Sequence, residues 1–270
     1  MSTWRPYEGE WALILGASSG FGAAAARALG ATGMGIAGVH LDRKSTLPMA
    51  EAVGNDVRAF GSPIEMFNVN AADDEKRAEA LAEMARVLDA EGRRDGIDVV
   101  LHSLAFGTLK PFLASDAGDR ISKAQMDMTL DVMAHSLVYW VQDLVAGGFV
   151  PEGGHVFAMT SAGGHRIWKS YGAVSAAKAA LESHCRQLAV ELVTKRIAVN
   201  AIRAGVTDTP ALRKIPDNAA MIQRCLAIHP AGRLTTPVDV ANVIVALSRP
   251  DSVWLSGNVL GVDGTEDTIG

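Results

Sequence analysis

The sequence predicts an α/β fold, a single doubly wound domain built on a seven-stranded parallel sheet. Three observations carry this expectation. Short apolar runs alternate with long amphipathic stretches along the chain, the order that βαβ units impose. A glycine-rich turn joins the first run to the first amphipathic stretch. No repeat or flexible linker interrupts the 270 residues, and a composition of 49% hydrophobic and 20% charged residues supplies ample core.

Taken in order, the first run covers residues 11–15 and leads through the glycines into an alanine-rich helix at 21–31. A second run at 34–39 is followed by a helix at 47–60. The third, at 62–67, precedes a helix at 73–89 whose first turn carries acids, the charge that suits a helix N-terminus. The fourth, at 97–101, leads to one long helix at 124–146, and the fifth, at 155–159, to a helix at 171–192. Runs at 198–202 and 259–262 flank a helix at 237–247. Each run is short and apolar on both faces, as strands of a covered parallel sheet are. Residues 205–232, rich in Thr, Pro and polar side chains, are too long for an ordinary connection and are expected to form a substrate lid. The domain then spans residues 1–270.

Charge and composition exclude several function classes. Twenty-five basic against 30 acidic residues leave a net charge of −5, which offers no basic face for nucleic acid. No apolar run approaches the ~20 residues that span a bilayer. The first eight residues lack the charged and then apolar pattern of a leader, so a cytoplasmic protein is expected. Cys185 and Cys225 have no metal-type spacing and read as buried or free thiols. His135, His165, His184 and His229 likewise have no ligand spacing and no expected carboxylate partner, and Met126, Met128 and Met133 read as core or subunit interface.

Two motifs carry chemistry. In Leu15-Gly16-Ala17-Ser18-Ser19-Gly20-Phe21-Gly22 the glycines follow a strand and open a helix, where a tight turn and the free N–H groups of a helix start suit a pyrophosphate. At the end of the second run, His40-Leu41-Asp42-Arg43-Lys44 offers both an acid for a ribose 2′-hydroxyl and cations for a 2′-phosphate. Arg43 and Lys44 tip the expectation to NADPH over NADH. The second motif is Ser161, then Tyr171 and Lys178 at the start of a long helix. Seven residues are about two helical turns, so both side chains leave one face about 10 Å apart along the axis. A lysine cation near a phenol favours donation from it. Phe106, Ile167 and Trp168 flank these loops and are candidates for lining a substrate pocket.

Together these residues resemble the short-chain dehydrogenase/reductase superfamily, and within it the divergent enoyl-acyl carrier protein reductases. The resemblance rests on Gly16, Gly20 and Gly22; on Asn68-Val69; on His102-Ser103-Leu104-Ala105-Phe106; on Tyr171 and Lys178; on the run from Ala204 through Gly205 and Thr207 to Thr209; and on Val262-Asp263-Gly264. The ketoreductase pattern is absent, because position 174, four residues before the lysine, is Val and His102-Ser103 stands in place of paired asparagines. Many enoyl reductases carry a second tyrosine at position 161; the serine here resembles a smaller NADPH-using group, as do the stretches 195–201 and 230–233.

The resemblance implies a Rossmann-type fold and hydride transfer to the β-carbon of a 2-enoyl thioester carried by acyl carrier protein or coenzyme A. It implies that Tyr171 stabilises the enolate, that Lys178 holds the nicotinamide ribose and that Ser161 adds a supporting hydrogen bond. Cofactor contacts are implied at Gly16, Ser18, Ser19, Gly20, Phe21, Gly22, Arg43, Asn68, Val69, Ser103, Leu104, Ala105, Lys178, Gly205, Thr207 and Thr209. It further implies a homotetramer. A carbonyl or 3-ketoacyl reductase, and a dinucleotide sensor without catalysis, are the alternatives.

Overall fold

A computed structural model describes residues 5–93, 96–116 and 118–269. The leader reading therefore rests partly on residues 1–4, outside the described residues. Seven parallel strands form one sheet: β1 (Trp11–Leu15), β2 (Gly35–His40), β3 (Ile64–Asn68), β4 (Ile97–His102), β5 (His155–Ser161), β6 (Ala198–Ala204) and β7 (Val259–Val262). Their spatial order is β3-β2-β1-β4-β5-β6-β7. The order reverses between β1 and β4, and in such sheets a crevice opens there, outside the carboxyl ends of the strands.

Register brings the site residues to that edge. Leu15 pairs with Val39 on one side and His102 on the other, His40 pairs with Asn68, and Ser161 pairs with Ala204. Alternation along β1 feeds two cores. Leu13 and Leu15 face one layer with Leu137, Trp140 and Leu181, while Ala12 and Ile14 face the other with Ala26, Val240 and Ile244. The helices are α1 (Gly20–Ala31), α2 (Leu47–Ala59), α3 (Asp74–Ala90), α4 (Lys123–Leu130), α5 (Ser136–Ala146), α6 (Gly172–Leu192), α7 (Asn218–Ile228) and α8 (Pro237–Leu247). Helix α1 lies against α8, an approach that its buried Ala23, Ala25 and Ala26 permit.

Three expectations change. The long helix at 124–146 is two helices joined by a π-helical turn at Asp131–His135. Ser136 Oγ donates to the Val132 carbonyl at 2.8 Å inside that turn, and His102 meets the same oxygen at 2.9 Å. A polar pair inside the core thus holds a wide turn that an apolar period cannot reveal. The segment 205–232 is not irregular: it contains a 3₁₀ turn at Leu212–Lys214 and α7. Asp217, at φ 58°, and Pro216 break the pattern before it, and α7 buries only Cys225. Strands β4, β5 and β6 also run one or two residues further than the apolar runs, ending on His102, Ser161 and Ala204.

Candidate active site

The glycine turn is fixed by lack of room. Gly16 has φ +93°, and a Cβ on it would sit 2.5 Å from the Ser103 carbonyl oxygen. A Cβ on Gly22 would collide with the Gly16 carbonyl. Gly16 and Ala17 N–H groups donate to Val39 O at 2.8 and 3.0 Å, tying the turn to β2. The first N–H groups of α1 have no partner within the helix and face the turn, a cradle shaped for a phosphate. Without side chains the strands of the turn pack backbone to backbone, which leaves the N–H groups at the start of α1 clear for a nucleotide pyrophosphate.

Beside it, Asn68 and Asp42 join the ends of β3 and β2: Asp42 N donates to Asn68 Oδ1 at 2.9 Å, and Asn68 Nδ2 to the Asp42 carbonyl at 3.0 Å. Burial works against the Asp42 charge, but hydrogen bonds from Thr46, Ser18 and His40 outweigh it and hold this carboxylate below its ordinary value. His40 Nδ1 lies 2.9 Å from Asp42 Oδ2. Arg43 and Lys44 are exposed.

A cavity of about 760 Å³ opens at the carboxyl edge of the sheet. Of the residues singled out in the sequence, Phe21, Ser103, Leu104, Ala105, Ser161, Tyr171, Lys178, Gly205, Thr207 and Thr209 line it. Gly16, Ser18, Ser19, Gly20, Gly22, Arg43, Asn68 and Val69 stand outside its wall, on the turns that close β1, β2 and β3. Apolar walls come from Leu104, Leu109, Met133, Val174, Leu212 and Met221. Met133, expected only in core or interface, thus serves both core and cavity. Ile167 and Trp168 line the cavity and Phe106 does not; Trp168 Nε1 donates to the Pro216 carbonyl at 3.0 Å, joining the loop after β5 to the segment before α7.

Tyr171 stands at the cap position of α6, not within its first turn, and still faces the cavity with Lys178. Burial raises its hydroxyl above the ordinary value of 10.0, and a hydrogen bond with Ser161 opposes this. The phenol is therefore protonated at neutral pH and available as a hydrogen-bond donor. Lys178 is buried and donates from Nζ to the Met159 carbonyl at 2.7 Å. Burial pulls it down to about 8, against Glu182.

Several groups escaped the sequence reading. His102 is fully buried, and burial with the Lys178 charge pulls it down to about 3. Since Ser136 spends its proton on Val132, His102 Nε2 is the donor and Nδ1 the bare nitrogen, which has no partner among the described residues. Glu266, buried in the cavity wall, accepts from Val206 N at 2.8 Å and from Cys225 Sγ at 3.3 Å. Burial and that carboxylate push the Cys225 thiol up to about 12. Contrary to expectation, His165 does have a carboxylate partner: it lies 3.0 Å from Asp267, which Arg166 and Arg203 also grip at 2.7 and 3.2 Å. Nothing in the spacing of positions 165, 203 and 267 announces this cluster, because only the register of the sheet's far end brings them together.

Fold, glycine cradle and cavity define a nucleotide-dependent oxidoreductase, a short-chain dehydrogenase/reductase. The family model described as enoyl-(acyl carrier protein) reductase matches residues 16–264, and the chain belongs to that family. It is 29% identical over 257 residues to the 3-oxoacyl-[acyl-carrier-protein] reductase FabG of Aggregatibacter actinomycetemcomitans, covering 94% of this chain and 98% of that one. It is 32% identical over 177 residues to the enoyl-[acyl-carrier-protein] reductase [NADH] FabI of a Nostoc species, covering 64% and 66%. Among solved structures, the enoyl-[acyl-carrier-protein] reductase (NADH) of Aquifex aeolicus superposes with a TM-score of 0.82 at 22% identity over 98% of each chain. A short chain dehydrogenase of Burkholderia cenocepacia in complex with NADP gives 0.79 at 25% identity, covering 97% and 99%. Among the described residues no helix is long and apolar enough to cross a membrane.

Proposed function

We propose that this protein reduces the C2–C3 double bond of a 2-enoyl thioester, on an acyl carrier protein or coenzyme A, with NADPH. The observation that carries the reading is the meeting of Tyr171, Ser161 and Lys178 in one apolar-walled cavity, while position 174 is a buried valine with no proton to give. The cradle at Gly16, Ser18, Ser19, Gly20, Phe21 and Gly22 suits the pyrophosphate, Asn68 and Val69 the adenine, and Arg43 a 2′-phosphate. Ser103, Leu104, Ala105, Lys178, Gly205, Thr207 and Thr209 suit the nicotinamide half. Bound there, a reduced nicotinamide dinucleotide supplies hydride for the β-carbon.

The chain's own part is electrostatic. Tyr171, held protonated by burial and oriented by Ser161, donates to the thioester oxygen as negative charge gathers on it. Lys178, charged below about 8, holds ribose hydroxyls and keeps the local field positive. His102 stays neutral and adds no competing cation. The apolar walls exclude water from the developing charge.

A second reading, reduction of a 3-oxoacyl thioester, is favoured by one comparison: the 3-oxoacyl reductase relative aligns with 94% of the chain. NADPH absorbance with crotonyl and acetoacetyl thioesters on both carriers separates the two. Faster oxidation by the enoyl thioester is the expected result, and preference for the oxo thioester overturns the first reading. Higher efficiency with NADH than with NADPH assigns the adenosine end to Asp42 instead of Arg43.

A further inference from the structure

Three consecutive residues at the end of β5 each hold a different residue of the α6 region. The Met159 carbonyl accepts from Lys178, the Thr160 hydroxyl donates to Glu182 Oε1 at 2.7 Å, and Ser161 bonds Tyr171. Two of the three serve the proposed chemistry directly. The middle one holds a carboxylate one helical turn beyond Lys178, on the same face of α6. The loop after β5 passes over both: a Cβ on Gly164 would lie 3.4 Å from Glu182 Oε1 and 3.5 Å from Lys178 Cβ.

We propose that Glu182, clamped by Thr160, is the positioning residue that keeps Lys178 charged and aimed at the nicotinamide site. This rests on the reading of Lys178 as the group that holds the nicotinamide ribose.

The charges around Lys178 leave Glu182 that task. On α6, Cys185 is pushed up to about 12 by burial and by Glu182, so it is an uncharged thiol at neutral pH. At the head of α6, Tyr171 is protonated. On β4, His102 is neutral. The end of β5 offers only Met159, Thr160 and Ser161, none ionised. Lys178 itself is 5% exposed, and burial alone disfavours its ammonium. Among the described residues Glu182 is the one carboxylate acting on it, and the Thr160 hydrogen bond stops that carboxylate from swinging to solvent.

NADPH binding followed by its fluorescence between about pH 6 and pH 10 tests this on wild type, Glu182→Gln, Thr160→Val and Glu182→Asp. Wild-type affinity should fall along an alkaline limb as Lys178 loses its proton. Glu182→Gln should move that limb down by about one unit, leaving affinity at pH 6 unchanged and lowering it on the order of tenfold near pH 8. Thr160→Val keeps the charge but frees it, and should shift the limb the same way by less; Glu182→Asp should restore part of it. A limb unmoved in Glu182→Gln, an equal loss at every pH, or a wild-type affinity flat with pH overturns the proposal. Should Glu182→Gln not fold, Thr160→Val carries the same criterion. The readout is binding alone: a wild type with the limb that reduces no enoyl thioester keeps the role of Glu182 and loses the proposed reaction.

Discussion

Tyr171 separates two kinds of contribution. Its hydroxyl is protonated, bonded to Ser161, and lines a cavity in which the proposed cofactor contacts fall to other residues. Tyr171→Phe keeps the ring in place and removes only the donor. Turnover should fall on the order of 10²–10⁴-fold, with NADPH affinity little changed in a fluorescence titration. Near-full enoyl reduction by this variant would mean that another group steadies the oxyanion. The pairing of a tyrosine and a lysine seven positions apart was readable from order alone, since the period of a helix dictates which side chains share a face. Glu182 and Glu266 were not, because each acts through partners on distant elements: Thr160 at the end of β5, and Val206 and Cys225 within residues 205–232.

The π-helical turn is the element the sequence concealed. Apolar residues at 133, 137, 140, 141 and 144 keep a helical rhythm across it, so the period averages over the slip. The cause lies in Ser136, whose hydroxyl occupies Val132 and is itself approached by His102. Ser136→Ala takes away the partner of a buried imidazole N–H, worth about 1–3 kcal/mol. Thermal unfolding should show a Tm several degrees lower. Because Met133 hangs from this turn into the cavity, KM for the thioester should rise in the same variant while NADPH affinity holds. An unchanged Tm would mean that the turn stands without its polar pair. By contrast, all seven strands were legible, since buried parallel strands leave largely apolar runs, and what falls outside them is at the carboxyl ends: His40, Asn68, His102, Thr160 and Ser161, and Arg203 and Ala204.

At the scale of the molecule, the end of the sheet opposite the cavity sets a pH dependence of its own. Burial, with Asp98 adding to it and Arg93 opposing, pushes Glu10 up to about 7 from 4.5, and its Oε2 is buried with no hydrogen-bond partner among the described residues. A folded value above the unfolded one means that the native state keeps a proton the unfolded chain releases. The stability this gives is fully present below 4.5 and is lost as pH climbs to about 7. Glu10→Gln should raise Tm above wild type near pH 8 and flatten its dependence between about pH 5 and pH 8. A wild-type Tm that does not decline across this window would refute the assignment. The amphipathic order of the chain made this doubly wound architecture foreseeable; the helix α7 within residues 205–232 was not. Helix α7 buries only Cys225 and turns Met221 and Ile228 toward open space. Those two side chains line the cavity, so this helix offers an apolar face to whatever enters instead of packing that face into the protein's own core.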